Sequence, residues 1–133
     1  MPDKNRDSEI FKKTLIYVVD DQSSMGVAIA AILRREGFQV KWHMDPESAL
    51  KYLSQQNEAP VLLLTDFMMD PMDGLELIER FKELRPDMKA ILFSGYEREE
   101  IAGYDKIEPD AFMAKPFNAS TLVQRIKSVL AAA

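Results

Sequence analysis

Residues 14–21 read TLIYVVDD, a short, β-branched and nearly all apolar run that ends abruptly in Asp20 and Asp21. A run of this kind is typical of a strand that is covered on both faces of a sheet. The same pattern recurs at residues 61–66 (VLLLTD) and 89–94 (KAILFS). Buried strands that end in polar residues are therefore a repeated feature of the chain.

Amphipathic helical patterns separate five such strand patterns. The predicted strands are 14–19, 38–44, 61–65, 89–93 and 110–114. The helix predicted over 97–107 is weak, because Gly103 interrupts it and its apolar spacing is poor. Short strands that alternate with helices predict an α/β fold, a five-stranded parallel sheet with helices on both faces.

Capping residues mark where several of these helices begin. We expect Ser23 or Ser24 to cap the first helix, Asp45 the second and Asn118 the last. Val27 belongs to the apolar positions that recur at helical spacing in the first helix, which predicts that it faces the core.

Composition narrows the function further. The chain has 133 residues, 17 basic and 22 acidic, with a net charge of −5, one histidine and no cysteine. Thiol chemistry, disulfides and histidine-rich metal sites are therefore excluded, and the charge disfavours direct nucleic-acid binding. No apolar run reaches the length of a membrane span. We expect a soluble, cytoplasmic protein with a single domain.

Polar side chains end four of the five predicted strands, at the edge where such sheets bind ligands. They are Asp20 and Asp21 on the first strand, Asp66 on the third, Ser94 on the fourth and Lys115 on the fifth. Three carboxylates at one edge repel one another unless a cation lies between them, and Mg²⁺ prefers such oxygen ligands. Ser94 can hydrogen-bond a phosphoryl oxygen, and Lys115 can neutralise one. Asp66, nearest the sheet centre, is the natural nucleophile for phosphoryl transfer.

The ordered set of motifs resembles the receiver domain of two-component response regulators, the CheY-like superfamily with a flavodoxin-like (βα)5 fold. The resemblance covers roughly residues 14–130 and follows a polar lead-in at residues 1–13. It is carried by Asp20-Asp21; by Asp66 followed by Met69, Met72, Asp73 and Gly74; by Ser94-Gly95; and by Phe112-Met113-Ala114-Lys115-Pro116-Phe117. Two positions depart from the family pattern: Asp70 stands where the usual proline lies, and Phe112 replaces a tyrosine.

The resemblance implies a role for each matching residue. Asp66 is the phospho-acceptor, and Mg²⁺ is held by Asp20, Asp21, Asp66 and the backbone carbonyl of Met68. Ser94 and Lys115 contact the phosphoryl group, and Ser94 with Phe112 forms the switch pair.

The implied donor is a histidine kinase or a phosphotransfer protein. We expect an effector or a second copy of the chain to bind the face made by residues 97–130. The domain is expected to be no enzyme, apart from catalysing its own phosphorylation and dephosphorylation. Nucleic acid and membrane are not expected as direct partners.

One alternative remains open, a degenerate receiver that acts as an interaction module without phosphorylation. A phosphatase of the haloacid-dehalogenase type needs a second aspartate two residues after the nucleophile, where this chain has Met68. A flavin carrier needs a phosphate-cradling loop where this chain has two carboxylates. The sequence fits both a stand-alone receiver and a segment of a longer regulator or hybrid kinase.

Overall fold

The computed structural model describes residues 14–56 and 59–132, so the lead-in predicted at 1–13 lies outside the described residues. The strands are β1 (Leu15–Val19), β2 (Gln39–His43), β3 (Leu62–Asp66), β4 (Lys89–Ser94) and β5 (Ala111–Ala114). The helices are α1 (Ser23–Arg35), α2 (Pro46–Gln56), α3 (Gly74–Leu84), α4 (Tyr104–Ile107) and α5 (Ala119–Ala131), with a 3₁₀ turn at Arg98–Glu100.

The five strands form one parallel sheet in the order β2-β1-β3-β4-β5. This order confirms the predicted fold class and places β3 at the centre, between β1 and β4. Because every strand runs in the same direction, all five carboxyl ends lie at one edge of the sheet. The residues that follow the strands are therefore brought together.

Two apolar cores cover the two faces of the sheet. The core beneath α1 and α5 includes Ile29, Leu33, Leu122 and Ile126. The core beneath α2 and α3 includes Ala49, Leu53, Ile78 and Phe81. Each of these four helices presents its buried residues at helical spacing, which is why the periodicity in the sequence was sufficient to predict both layers. Within residues 14–56 and 59–132, none of the helices could cross a membrane.

Helix starts agree with the predicted caps at two of three places. Asp45 accepts a hydrogen bond from the backbone N–H of Ser48, and Asn118 accepts one from Thr121. The serine cap predicted for α1 is wrong, because the helix begins at Ser23 itself and its N-cap is Gln22, which makes no side-chain capping bond. The backbone N–H of Gln22 is instead held by the carboxylate of Asp20.

The prediction that Val27 faces the core is also wrong, since this residue is 56% exposed. The buried stripe of α1 is formed by Gly26, Ile29, Ala30 and Leu33, so Val27 lies beside this stripe. The weak helix predicted over 97–107 is correspondingly short and broken. Only the 3₁₀ turn and the four residues of α4 are helical there.

Candidate functional site

Three carboxylates meet at the carboxyl edge of the sheet. Asp20 and Asp21 follow β1, and Asp66 is the last residue of the neighbouring strand β3. One oxygen from each residue lies within 4.8 Å of the others. Asp20 and Asp66 are buried and Asp21 is exposed, so the group opens to solvent on one side. The convergence predicted from the strand ends is therefore present.

Asp20 is the most enclosed member of this cluster. Its Oδ1 accepts a hydrogen bond of 2.9 Å from the backbone N–H of Gln22. Its Oδ2 is buried and has no hydrogen-bond partner among residues 14–56 and 59–132. Burial raises the pKa of Asp20 to about 6; the Gln22 hydrogen bond opposes this shift, and the negative charge of Asp66 adds to it.

The carboxylate of Asp66 is bonded to the ammonium group of Lys115 and to one backbone amide. Its Oδ1 lies 3.0 Å from the Nζ of Lys115 and accepts a 2.9 Å hydrogen bond from the backbone N–H of Phe67. Burial raises the pKa of Asp66, and the Lys115 ammonium opposes this shift in part. A buried carboxylate beside two others thus depends on Lys115 for local charge balance.

Ser94 ends β4 and Lys115 follows β5, at the same edge of the sheet as the cluster, and Lys115 contacts Asp66. The backbone N–H of Lys115 donates to the carbonyl of Ser94 at 2.8 Å, which ties the two strand ends together. The Oγ of Ser94 is buried and accepts a hydrogen bond of 2.9 Å from the backbone N–H of Tyr96. Accepting that bond leaves the serine proton available as a donor.

The remaining predicted residues differ in exposure and contacts. Met68 is exposed, and Phe112 is half-buried in β5 with its ring 6.0 Å from that of Tyr104. Asp70, which stands at the usual proline position, is exposed and does not belong to the close carboxylate group. Gly74 opens α3 directly against the carbonyl of Asp66, where a Cβ would overlap that oxygen.

The donor set fits a hard divalent cation. Carboxylate oxygens are the ligands that such cations prefer, and a cation offsets the mutual repulsion of three acidic groups. It would also satisfy the buried Oδ2 of Asp20, which the described residues leave without a partner. The cluster of Asp20, Asp21 and Asp66 therefore indicates a divalent metal site.

Sequence reasoning missed one contact to this site. The indole Nε1 of Trp42, on β2, donates a 3.0 Å hydrogen bond to the backbone carbonyl of Asp20. The available signal was Gly26, a glycine inside a helical pattern, which commonly marks a close approach of another group.

The comparisons with known proteins agree with this geometry. The family defined as the response regulator receiver domain matches residues 16–127. The chain therefore belongs to the response regulator receiver domain family. It is a signalling domain of two-component regulators.

Relatives of similar length are found in both sequence and structure. The response regulator receiver protein CpdR of Brucella abortus is 34% identical over 119 residues, which cover 89% of this chain and 98% of CpdR. A CheY-like receiver domain of Methanospirillum hungatei is 32% identical with a TM-score of 0.80, covering 88% of this chain and 93% of that one. Several other curated relatives are longer, and the chain spans about a quarter to a half of their length.

One solved relative was determined with bound ligands. TrrA of Thermotoga maritima, in complex with Mg(2+)-BeF, is 25% identical with a TM-score of 0.75. The match covers 87% of this chain and 98% of TrrA.

Proposed function

We propose that Asp66 accepts a phosphoryl group from a histidine kinase or a phosphotransfer protein, with Mg²⁺ bound beside it. One observation carries the proposal: three carboxylates and the Lys115 ammonium converge at the carboxyl edge, with Lys115 3.0 Å from Asp66. The Mg(2+)-BeF complex of the relative TrrA supports the same chemistry for this chain.

In the transfer step an oxygen of the Asp66 carboxylate attacks the phosphorus of a phosphohistidine. The O–P bond forms as the P–N bond breaks, and the electron pair of that bond remains on the imidazole of the donor. Asp66 lies on the central strand and is fixed through its Oδ1, so the attacking group is positioned before the donor arrives.

Neighbouring residues stabilise the product. Lys115 neutralises one oxygen of the phosphoryl group, and the hydroxyl proton of Ser94 hydrogen-bonds another. When bound, Mg²⁺ would be held by Asp20, Asp21, Asp66 and the backbone carbonyl of Met68, and it supplies charge neutralisation for the transferred phosphoryl group. The same residues would support hydrolysis of the acyl phosphate by water, so the domain would catalyse its own phosphorylation and dephosphorylation.

The switch proposed for this domain joins Ser94 to Phe112. A phosphoryl group on Asp66 draws the Ser94 hydroxyl toward it, and Phe112 turns inward into the space that this movement leaves. The face of residues 97–130 then changes shape for an effector or for a second copy of the chain. We place this signalling in the cytoplasm.

Phosphorylation by acetyl phosphate, followed by intact mass, tests the proposal. The wild-type protein should gain one phosphate in Mg²⁺ and none in EDTA, and Asp66→Asn should gain none. Asp70→Asn is the matched control, since it removes an exposed carboxylate outside the cluster and should leave labelling unchanged. Phosphate gained by Asp66→Asn at the wild-type rate, or gained equally in EDTA, would contradict the assignment. No labelling of the wild type would favour the degenerate receiver.

A further inference from the structure

Trp42, the single tryptophan of the chain, lies between the first helix and the loop that carries the acidic pair. It is the fourth residue of β2 and stands opposite Val18 of β1, two residues before Asp20. Its indole Nε1 donates to the backbone carbonyl of Asp20 at 3.0 Å. A side chain outside the carboxylate cluster therefore contacts the backbone of one of its members.

A second bond holds the same residue from the other side. The backbone N–H of Asp20 donates to the carbonyl of His43 at 3.1 Å. Both backbone polar groups of Asp20 are thus bonded to consecutive residues of β2, one through the main chain and one through the indole. This pair of bonds fixes the peptide units on either side of the Asp20 Cα.

The first helix contains a glycine that makes room for the indole. Gly26 lies on the buried face of α1, although glycine is unfavourable in the interior of a helix. A Cβ at this position would overlap the indole nitrogen and the adjoining ring carbons of Trp42. Any other residue at position 26 would therefore displace the ring from its bond to Asp20.

The side chain of Asp20 depends on this support. Its Oδ1 is already engaged by the N–H of Gln22, and its Oδ2 has no partner within the described part of the chain. This buried Oδ2, which is free of hydrogen bonds to the described residues, is positioned for a cation by the backbone that Trp42 and His43 hold. Groups that orient a metal ligand commonly change metal affinity when they are removed.

We propose that Trp42 is a positioning residue for the divalent metal site, setting the affinity of the cluster for Mg²⁺ through its hydrogen bond to Asp20, an inference that rests on the proposed function. Trp42→Phe keeps an apolar ring and removes the N–H donor. The apparent dissociation constant for Mg²⁺ should rise about three- to tenfold, the effect of losing one hydrogen bond.

The experiment is a titration of the whole protein with Mg²⁺, followed by the amide chemical shifts of residues around the cluster. The matched control is Arg34→Met, because Arg34 Nη2 donates to the carbonyl of Val40 on the same strand, also at 3.0 Å. This control also loses one hydrogen bond from a side chain to a backbone carbonyl, but that bond joins α1 to β2 and does not involve Asp20. Its dissociation constant should equal that of the wild type.

Each outcome decides between the two proposals. Wild-type affinity in Trp42→Phe, or an equal loss in Arg34→Met, would overturn the role of Trp42. If Trp42→Phe fails to fold, Gly26→Ala takes its place with the same expectation, since it displaces the indole. If Mg²⁺ binding survives Asp20→Asn unchanged, the metal site itself is wrong, whereas binding that needs Asp20 and ignores Trp42 rejects only the positioning role.

Discussion

At the scale of single residues, Asp20 shows how the site opposes the stability of the fold. Its carboxylate is fully buried beside Asp66, and burial raises its pKa from 3.8 to about 6. A raised pKa means that the folded state binds the proton more tightly than the unfolded state does. Without metal, the stability of the protein therefore falls as the pH rises from about 4 through 6.

Asp20→Asn should remove this loss of stability at higher pH. In EDTA, the free energy of unfolding of the variant should exceed that of the wild type by on the order of 1–3 kcal/mol at pH 7, and this difference should shrink toward pH 4.5. Urea unfolding at the two pH values measures it. Mg²⁺ should narrow the difference at pH 7, because the cation stabilises only the wild-type site by mass action.

The exposed carboxylate Asp21 supplies the control for charge alone. Asp21→Asn changes the net charge by the same amount but does not neutralise a buried carboxylate. Its free energy of unfolding at pH 7 should therefore increase by less than that of Asp20→Asn. A stability difference for Asp20→Asn that does not change with pH would show that the Asp20 carboxylate carries no burial penalty.

Met68 bears on the lifetime of the phosphoryl group. Its side chain is 57% exposed, two residues after Asp66, and Tyr96 is 48% exposed two residues after Ser94. Neither side chain can act as a strong base or orient water as an amide does. The phosphorylated protein should therefore be long-lived, and Met68→Asn should shorten its half-life several-fold, as measured by intact mass after removal of acetyl phosphate.

Met44 provides a matched control for this variant. It is a methionine of similar exposure that follows β2 at the same edge of the sheet, away from the acceptor strand. Met44→Asn should leave the decay unchanged. A slower or unchanged decay in Met68→Asn would reject the role of Met68 in limiting the approach of water.

At the scale of elements, the strands were predictable to within one residue at each end. A strand covered on both faces must be short and apolar, so runs such as Leu62–Asp66 leave a clear signal in the sequence. The convergence of the strand ends followed from parallel topology alone. The strand ends therefore predicted the carboxylate cluster and placed Lys115 at the same edge, whereas its ion pair with Asp66 is seen in the structure.

What the sequence did not predict depends on tertiary contacts. The start of α1 follows from the bond between Asp20 and the N–H of Gln22, and local capping preferences do not report it. The exposure of Val27 depends on which stripe of the helix faces the sheet, and Gly26 occupies the position beneath Trp42. The position of Trp42 over Asp20 requires two strands and a helix to be assembled first.

Asp110, which precedes β5, bonds to residues of β4 and α3. Its Oδ2 accepts 2.8 Å hydrogen bonds from the backbone N–H of Ala90 in β4 and from the Nζ of Lys82 in α3. Burial raises the pKa of Asp110, but the bonds from Lys82 and Ala90 outweigh burial, and the pKa is lowered overall. A lowered pKa contributes stability above the unfolded value of 3.8, and this stability is lost as the pH falls through the folded value.

Asp110→Asn should lower the free energy of unfolding by about 1 kcal/mol at pH 7, since one charge-assisted bond is weakened at a partly exposed site. The difference from the wild type should shrink as the pH falls below the unfolded pKa of 3.8 toward the lower pKa of the folded state. Thermal unfolding at pH 7 and pH 3.5 measures it. Asp73→Asn is the control, because asparagine can replace aspartate as the N-cap of α3. This variant should lower the free energy of unfolding by less than Asp110→Asn does.

At the scale of the whole molecule, the two faces of the sheet differ in how firmly their helices are held. α1 and α5 each have 13 residues, whereas α4 has four and the preceding 3₁₀ turn has three exposed residues. Ile101 is the buried anchor of this stretch, and Tyr104 contacts the ring of Phe112. Weakly anchored segments open at low free energy, so a small change can shift their population.

In the proposed switch, phosphorylation acts on this segment through Ser94. The Oγ of Ser94 accepts a hydrogen bond from the backbone N–H of Tyr96. We expect this bond to break when the Ser94 hydroxyl moves toward a phosphoryl group on Asp66. We expect Tyr96 and the residues that follow it to be released, and Phe112 to move inward away from Tyr104. Hydrogen exchange with and without Mg²⁺ and beryllofluoride should change in residues 95–117 and remain unchanged in α1, with a coupling on the order of 1–3 kcal/mol.

Phe112→Ala should separate phosphorylation from this response. Labelling by acetyl phosphate should be nearly intact, because Phe112 lies outside the carboxylate cluster, while the exchange change in residues 95–107 should be much smaller. Phe117→Ala is the matched control, since this half-buried ring packs against Phe93 in the opposite core and its loss should reduce stability while preserving the response. Exchange changes confined to α1 and α2, or an undiminished response in Phe112→Ala, would show that the signal leaves the site by another face.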